Sequence, residues 1–504
     1  MEEPRQLNQK IVNNSFWNFL TTLLGKIGAL LFVVILARFL LPEKFGIYSL
    51  VMSVTLILIT FADIGINQAL IRYLSEWLAE KNREKTASVY HYLFRLKFFL
   101  SLFLAIVLLA LSYPLSFYLF EKPLLFYPLI FSSIYLFIYS IESFYSSLFF
   151  VVGKLNYLAI RQFLWEALRI LGSLFVFIFL VSKYSVVGII NVLIIAVIIT
   201  LIFLLYNLRK FLPFLFRSRF KLLDKRYRKH INKILFYLSV GGTLSIIFGY
   251  VDIVMIGMFL PSASVGFYSA SMALAMGFGA LLTITNILLP VFTQMKKERF
   301  NEMLNKVFKY TSLLAVPTIS GLFIFGNYIV ITIYGVDYLP AVLPLYFLAF
   351  LVLETPLSNS FKSLFTATEK PRYFVNILII STIMNIVLNY FLITSFLKIS
   401  PDWALAGAAI STLASRYFYL IGLSFYARKK LGISIRYSFL IKPILASMTM
   451  VAVLYSINLN LKEMNFFIGI SEIFFGALFY FAMMFIIKGI SKDDLLILRK
   501  IDFN

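Results

Sequence analysis

The sequence is short of the residues that most often carry chemistry. Among its 504 residues there is no cysteine, and the only histidines are His91 and His230. These absences exclude disulfides, thiolate catalysis and cysteine-ligated metals, and they leave little basis for a histidine metal site. Charged residues make up only 14% of the chain, against about 25% in ordinary soluble proteins. We expect no catalytic residues, no metal and no organic cofactor.

Apolar residues are what the chain has in excess. They account for 61% of it, with 55 Phe and 30 Tyr, and the mean hydropathy is +0.90. Such a chain could not cover its own surface with polar groups, so it is predicted to be an all-α polytopic membrane protein. A cleavable signal peptide is not expected, because the first apolar run is long and follows Glu2 and Glu3.

Runs of about 20 apolar residues predict fourteen transmembrane helices. The first six lie at residues 14–41, 45–71, 88–112, 123–151, 157–182 and 184–207. The other eight lie at 235–260, 265–292, 307–333, 339–361, 373–395, 403–427, 438–456 and 465–487.

Lysine and arginine are distributed unequally between the two sides of these spans. With the N-terminus in the cytoplasm, the cytoplasmic segments carry 34 of the 46 basic residues, the external loops 5 and the spans 7. This excess is typical of the cytoplasmic side, so both termini, Lys85 and Lys225 are predicted to be cytoplasmic, and Lys122 and Lys398 external. The same rule accounts for the net charge of +23, so we expect lipid headgroups but no nucleic acid as partners.

A basic connection after the sixth span divides the chain. Residues 209–234 contain ten lysines and arginines and the single acid Asp224. We therefore predict an N-terminal lobe at 1–208, a basic cytoplasmic linker at 209–234, a C-terminal lobe at 235–428, and two extra helices with a cytoplasmic tail at 429–504.

A short repeat relates the two predicted lobes. Phe39-Leu40 and Gly46-Ile47-Tyr48-Ser49 recur as Phe259-Leu260 and Gly266-Phe267-Tyr268-Ser269, at an offset of 220. Because six spans separate the copies, both begin on the same side of the membrane. The lobes are therefore predicted to be parallel repeats, related by an axis along the membrane normal, as in two-lobed transporters.

Further stretches carry a resemblance to a known family. They are Ala37 to Tyr48, Gly65 to Arg72, Thr368 to Pro371 with Asn376, Asn385 and Asn389, Gly407 to Thr412, and Pro317 with Ile333 to Tyr338. Taken together in their order along the chain, they resemble the polysaccharide biosynthesis (oligosaccharide flippase) family over nearly the whole chain. That family shares a superfamily with multidrug and toxic compound extrusion (MATE) transporters and lipid II flippases. The resemblance implies two six-helix lobes that alternate between inward- and outward-facing states, and a transporter that is not an enzyme.

Polar residues recur at helical spacing inside several spans, where a charge costs about 2.5 kcal/mol or more. The stripes are Asn14, Asn18, Thr22 and Lys26; Thr60, Asp63 and Asn67; and Gln162, Glu166, Arg169 and Ser173, with Glu142, His91, Arg95 and Lys97 on neighbouring spans. Five cations (Lys26, Arg38, Arg95, Lys97 and Arg169) face three acids in this half of the chain. A surplus of positive charge in a low-dielectric cavity attracts anions, which suits a pyrophosphate.

These stripes yield the candidate site residues. Pyrophosphate binding is predicted for Lys26, Arg38, Arg95 and Arg169, and a polar cavity lining for Asn18, Thr22, Asn67, Gln162 and Ser173. Coupling to H⁺ or Na⁺ is predicted for Asp63, Glu142, Glu166 and Asp252, because a buried carboxylate can exchange its cation as access alternates.

Structural explanations of the same residues remain open. Glu166 and Arg169, one turn apart, could neutralise each other, and Asp63 could pair with Lys26. Arg38 and Arg95 lie near helix ends and could reach the membrane interface. Asn385 and Asn389 could serve only to bond neighbouring helices.

The predicted function is a flippase that moves a polyprenyl-pyrophosphate-linked oligosaccharide, the repeat unit of a cell-surface polysaccharide, across the cytoplasmic membrane by alternating access. Its partners would be that lipid-linked glycan, membrane lipids and other polysaccharide-assembly proteins. An ion-coupled antiporter of drugs or organic cations is the alternative, although it predicts a cavity rich in acids. A polysaccharide polymerase or glycosyltransferase fits less well, since the external loops are short. No Gly-Lys-Ser/Thr phosphate loop occurs, so ATP is not expected as a partner.

Overall fold

The computed structural model describes residues 4–179, 184–217, 225–282, 288, 291–293, 295–458 and 466–490. All regular elements among these residues are helices, which confirms the predicted all-α class. We number the α-helices α1 Pro4–Asp63, α2 Ile66–Ala79, α3 Arg83–Pro114, α4 Phe126–Val152, α5 Leu155–Phe179, α6 Ser185–Phe211, α7 Pro213–Arg217, α8 Lys225–Phe259, α9 Ser262–Leu281, α10 Phe300–Tyr334, α11 Val342–Leu348, α12 Leu351–Ala367, α13 Pro371–Leu397, α14 Pro401–Leu431, α15 Ile441–Asn458 and α16 Phe466–Ile486.

Each predicted span falls on helical residues, although 180–182, 283–287, 289–290 and 465 of three spans lie outside the described residues. By length and composition, eleven helices in the described part of the chain could cross a membrane, or twelve if a bent pair at Val336–Leu348 and Leu351–Ala367 is one span. One of the eleven, Phe16–Ala79, contains the first two predicted spans. The count of fourteen is compatible with this arrangement and stays a prediction.

Helix α1 contains a kink between the first two predicted spans. Leu41 has a φ of 61° and a ψ of 167°, in a region that costs a non-glycine residue about 1–3 kcal/mol. Pro42 follows it, and a proline disfavours helical backbone in the residue before it. The Leu41-Pro42 pair thus separates a first arm, residues 4–40, from a second arm, residues 42–63.

The second predicted span, 45–71, is not one continuous helix as the sequence analysis assumed. α1 ends at Asp63, and α2 begins at Ile66. Between them Ile64 and Gly65 take positive φ values of 37° and 72°, which the glycine adopts without a steric penalty. The break places the carboxylate of Asp63 at the C-terminal end of a helix inside a predicted span.

The chain divides into two compact units. The first comprises Met1–Ser269 and Leu378–Pro401, and the second Ala270–Ile377 and Asp402–Asn504. The first unit has an apolar core that joins α2, α3, α4 and α6, with Leu70, Leu93, Phe144 and Leu204 fully buried. The predicted lobes follow different boundaries and stay a prediction, and residues 218–224 of the predicted linker lie outside the described residues.

In the second unit, the two helices beyond the predicted repeats pack on α10. Phe325 of α10 forms a buried cluster with Met450 of α15 and Met484 of α16, and the Tyr480 hydroxyl donates to the Leu313 carbonyl at 2.7 Å. A cleft of about 400 Å³ lies beside Ile457 and the first half of α16, and it is lined almost entirely by apolar atoms.

The two copies of the sequence repeat contact each other within the first unit. A Cβ atom at Gly46 would overlap the carbonyl oxygen of Ser262, and a Cβ atom at Gly266 would overlap that of Pro42. Gly46 and Gly266 occupy the same position in the two copies, and each glycine contacts the carbonyl group four residues before the other glycine. The two contacts are therefore reciprocal, at the same offset of 220. Only glycine permits such a close approach of two backbones.

Candidate functional site

The polar residues of α4 and α5 form one continuous hydrogen-bonded network in the first unit. It starts with the carboxylate of Glu142, which accepts from Nε of Arg161 at 2.6 Å and from Nη2 at 2.8 Å. The Arg161 side chain is only 14% exposed and that of Glu142 only 1%. This forked arrangement is the strongest geometry available to an arginine and a carboxylate.

Gln162 links this ion pair to a second one on the same helix. Its side-chain oxygen accepts from Nη1 of Arg161 at 3.0 Å, and its Nε2 donates to Glu166 at 2.8 Å. Glu166 in turn accepts from Nε of Arg169 at 2.7 Å. We call these five residues, Glu142, Arg161, Gln162, Glu166 and Arg169, the α5 network. The Ser173 hydroxyl, one turn further on, donates to the backbone carbonyl of Arg169.

Aromatic rings surround the two arginines. Trp165 lies between them on α5, with its ring centroid 5.8 Å from Cζ of Arg161 and 5.7 Å from Cζ of Arg169. Phe32 of α1 covers Arg169 at 4.5 Å. Cation–π contacts of this kind orient a guanidinium and are worth about 0.5–2 kcal/mol each.

The first arm of α1 reaches the α5 network through two glycines. A Cβ atom at Gly25 would lie 3.1 Å from Nε2 of Gln162, and one at Gly28 would overlap the carboxyl group of Glu166. Lys26 lies between these glycines in sequence and is partly buried, as are Thr22 and Asn18, one and two turns before it. The predicted polar stripe of α1 therefore runs beside the network, and the Thr22 hydroxyl donates to the Asn18 carbonyl at 2.9 Å.

Asp63, at the end of α1, pairs with Lys97 of α3. The ammonium nitrogen lies 2.8 Å from Oδ1, and the Lys97 side chain is only 1% exposed. Pairing of Asp63 with Lys26, which the sequence left open, is not what the structure shows. Asn67 donates to the Ser143 hydroxyl at 3.2 Å, and its side-chain oxygen is buried without a hydrogen-bond partner among the described residues.

The remaining two predicted pyrophosphate ligands lie elsewhere. Arg38 and Arg95 are both exposed. Arg38 lies three residues before the kink at Leu41, and Arg95 lies two residues before Lys97. Neither takes part in the hydrogen bonds of the α5 network. Of the four predicted cations, the structure therefore brings Lys26 and Arg169 to one region.

A second polar cluster of the first unit contains Asp252 of α8. The carboxylate is fully buried and accepts from Nδ2 of Asn389 at 2.6 Å and from the Tyr268 hydroxyl at 3.2 Å. Both donors are neutral. The side-chain oxygen of Asn389 is buried with no hydrogen-bond partner in the described part of the chain, and such an orphaned acceptor is unusual in a protein interior.

A buried carboxylate of the second unit, Glu354, also lies beside an arginine. Glu354 of α12 accepts from the Ser358 hydroxyl at 2.5 Å and lies 3.7 Å from Nη1 of Arg416. Its side chain is 1% exposed. The Glu354–Arg416 distance is longer than the ion-pair distances of the α5 network.

Two residues of the site were missed by sequence reasoning. Arg161 lies inside predicted span 157–182 and one residue before Gln162. The sequence alone could therefore have placed it beside the polar stripe that begins at Gln162. Lys97 was counted among the cations of the third span but was not selected, and its partner Asp63 lies 34 positions away. Nothing in the local sequence pattern relates those two positions.

Comparisons with known proteins identify related sequences and folds. The model of a family described as polysaccharide biosynthesis protein matches residues 11–296. A protein of Haloferax volcanii, named probable low-salt glycan biosynthesis flippase Agl15, is 25% identical over 253 residues, which cover 48% of this chain and 50% of that protein. The chain thus matches about half the length of this curated relative.

Two solved structures share the fold at low sequence identity. A structure titled lipid II flippase MurJ, inward closed conformation, has a TM-score of 0.69 at 17% identity and covers 94% of this chain and 98% of that one. A multidrug resistance MATE family transporter of the MOP superfamily, in an inward-facing conformation, has a TM-score of 0.62 at 14% identity and covers 81% and 94%.

Proposed function

Because the chain belongs to the family of polysaccharide biosynthesis proteins, we propose that it is a flippase for a polyprenyl-pyrophosphate-linked oligosaccharide. Family membership also confirms the resemblance found in the sequence. The protein moves the repeat unit of a cell-surface polysaccharide from the cytoplasmic to the external face of the cytoplasmic membrane by alternating access. Both termini lie in the cytoplasm, and other polysaccharide-assembly proteins supply and consume the glycan.

The α5 network and Lys26 are the observation that carries this proposal. Arg161 and Arg169 of the network, and Lys26 on the part of α1 that crosses α5, supply three cations to this region of the first unit, against the two carboxylates of the network. In a low-dielectric interior such a surplus attracts anions, and arginine forks match phosphate oxygens. Asn18, Thr22, Asn67, Gln162 and Ser173 supply hydroxyl and amide groups for the sugars, while the polyprenyl chain stays in lipid.

Coupling to H⁺ or Na⁺ belongs to the same proposal. The four candidate carboxylates are Asp63, Glu142, Glu166 and Asp252, and the first three contact a lysine or arginine. Asp252 accepts from an amide and a phenol, and both groups can remain hydrogen-bonded when the carboxyl group is protonated. These two hydrogen bonds support Asp252 as a residue that exchanges the coupling ion.

The fold is shared with multidrug MATE transporters, so an antiporter of organic cations is the second candidate function. Such a substrate would require a cavity with surplus negative charge. The charge balance around Lys26 favours the anionic substrate.

Reconstituted vesicles test the choice between the two functions. A fluorescent short-chain polyprenyl-pyrophosphate oligosaccharide is placed in one leaflet, and its arrival in the other is followed by an impermeant quencher. We expect transport by the wild-type protein, loss of transport in Lys26→Gln and partial transport in Lys26→Arg. Lys442→Gln, a lysine of the second unit that donates to a backbone carbonyl, is the matched control and should transport normally. Export of an organic cation without glycan transport would overturn the proposal.

A further inference from the structure

We propose that Arg161 and Arg169 form a two-pronged site for the diphosphate of the substrate, and that Glu142 and Glu166 occupy both prongs as built-in competitors. This inference rests on the proposed function, since it specifies how the same site holds its ligand. In the state described, Arg161 donates to both carboxylate oxygens of Glu142, whereas Arg169 donates from Nε to Oε2 of Glu166 and has Nη2 within 2.5 Å of the same oxygen. A carboxylate and a phosphate present the same pair of oxygen acceptors to an arginine fork.

The spacing on α5 brings the two forks to one face. Arg161, Trp165 and Arg169 succeed one another at intervals of four residues, so they lie on one side of a helix that rises about 12 Å over the interval. Both guanidinium groups lie close to the Trp165 ring, at 5.8 and 5.7 Å from its centroid. Two cations on one helix face beside a shared aromatic ring suit a ligand with two charged centres better than one with a single centre.

Both arginines keep some exposed side-chain surface. In the pair on α4 and α5, Arg161 is 14% exposed and Glu142 is 1%. In the second pair, Arg169 is 12% exposed and Glu166 is 9%. An incoming diphosphate can therefore contact Arg161 before Glu142 has left, and at the second pair it meets both partners.

Gln162 couples the displacement of Glu142 from Arg161 to the displacement of Glu166 from Arg169. Its amide accepts from Arg161 and donates to Glu166, so a movement of either pair changes a hydrogen bond of the other. Displacement of one carboxylate by phosphate therefore weakens the hold on the second. On the external face, where the substrate must leave, the same carboxylates return to the arginines and favour release of the diphosphate.

This competition predicts an increase in affinity when a carboxylate is neutralised. Glu166→Gln removes one competitor without unlinking two helices, because Glu166 and Arg169 lie on the same helix. We expect it to bind a diphosphate probe about tenfold more tightly, which corresponds to about 1.4 kcal/mol, and to transport more slowly because release is impaired. Glu142→Gln should act in the same direction, whereas Arg161→Gln should bind at least tenfold more weakly.

Equilibrium binding of radiolabelled farnesyl diphosphate to the purified full-length protein in nanodiscs provides the measurement. Glu354→Gln is the matched control, since Glu354 is a buried carboxylate beside an arginine outside the α5 network, and its affinity should equal that of the wild type. Folding of each variant is checked by its elution as a single species, and Glu142→Asp provides a second, charge-preserving variant at the helix–helix pair, with unchanged affinity expected.

Two results would count against the inference in different ways. If the wild type and Glu354→Gln bind the probe but Glu166→Gln and Glu142→Gln bind it no more tightly, the carboxylates are structural partners, and the competitor role is wrong while the proposed function stands. If no variant binds a diphosphate at all, including those with freed arginines, both the inference and the proposed substrate class are overturned.

Discussion

Lys97 is the most deeply buried cation of the described residues, and its positive charge is compensated by Asp63. With its side chain 1% exposed and its ammonium 2.8 Å from the carboxylate, it cannot find water when that partner is removed. Breaking such a buried pair typically costs about 3–5 kcal/mol, because a charge is left uncompensated. We therefore expect Asp63→Asn to lower the apparent Tm of the purified protein by several degrees.

The double variant Asp63→Asn/Lys97→Met should recover most of that loss, since it removes both charges together. Thermal unfolding of the two single variants and the double variant forms a cycle that isolates the pair. Lys306 and Glu302 provide the control, because they form an exposed ion pair on α10 and their neutralisation should leave the apparent Tm unchanged. Additive losses in the Asp63/Lys97 cycle would contradict a coupled pair.

Asp252 is expected to behave differently from the other three candidate carboxylates. Asp252→Asn keeps the size of the side chain but removes the group that can take up a proton or bind Na⁺. Transport by this variant should lose its dependence on an imposed ion gradient, whereas Asp63→Asn should retain the dependence at a lower rate. The measurement is glycan transport into vesicles with H⁺ and Na⁺ gradients imposed separately. Unchanged gradient dependence in Asp252→Asn would assign the carboxylate a structural role.

At the scale of helices, α1 and α5 cross closely because Gly25 and Gly28 of α1 have no side chains. A methyl group at Gly28 would occupy the position of the Glu166 carboxyl group, so Gly28→Ala must displace either the helix or the ion pair. Displacements of about 1 Å can cost up to about a hundredfold in rate, and we expect at least a tenfold loss of transport.

Gly249→Ala in α8 is the matched helical control for that substitution. A Cβ atom there meets no other atom within 4 Å, and alanine stabilises a helix relative to glycine by up to about 1 kcal/mol. Transport should be retained and the apparent Tm should be equal or slightly higher. A similar loss in both variants would show that glycine flexibility, and not the space at Gly28, is what transport requires.

Helices were more predictable from the sequence than the contacts between them. Long apolar runs reveal where helices lie, and the pair Glu166–Arg169 was readable because its members are one turn apart. Glu142 and Arg161 lie on different helices, and Asp63 and Lys97 do as well. Such pairings depend on how far each helix is rotated about its axis, which a single sequence does not encode locally. The break at Ile64-Gly65 was missed because apolar residues continue across it.

For the whole molecule, the orientation in the membrane is the prediction with the most direct test. The chain has no native cysteine, so single cysteines can be introduced without removing others. Positions 85 and 398 are both exposed and are predicted to face the cytoplasm and the exterior, respectively. An impermeant thiol reagent added to intact cells should label Lys398→Cys and not Lys85→Cys. The reverse pattern, or labelling at both positions, would contradict the predicted topology.

The reciprocal contact of Gly46 and Gly266 makes any separation of the two repeat copies a cooperative event. Each copy contributes one glycine and one backbone carbonyl group to the two equivalent contacts. Neither contact can therefore lengthen alone while the helices stay rigid. A small separation of the two repeat copies would break both close contacts without making room for a ligand. A Cβ atom at either position would overlap a backbone carbonyl of the other copy, so replacement of one glycine cannot be compensated by a change at the other.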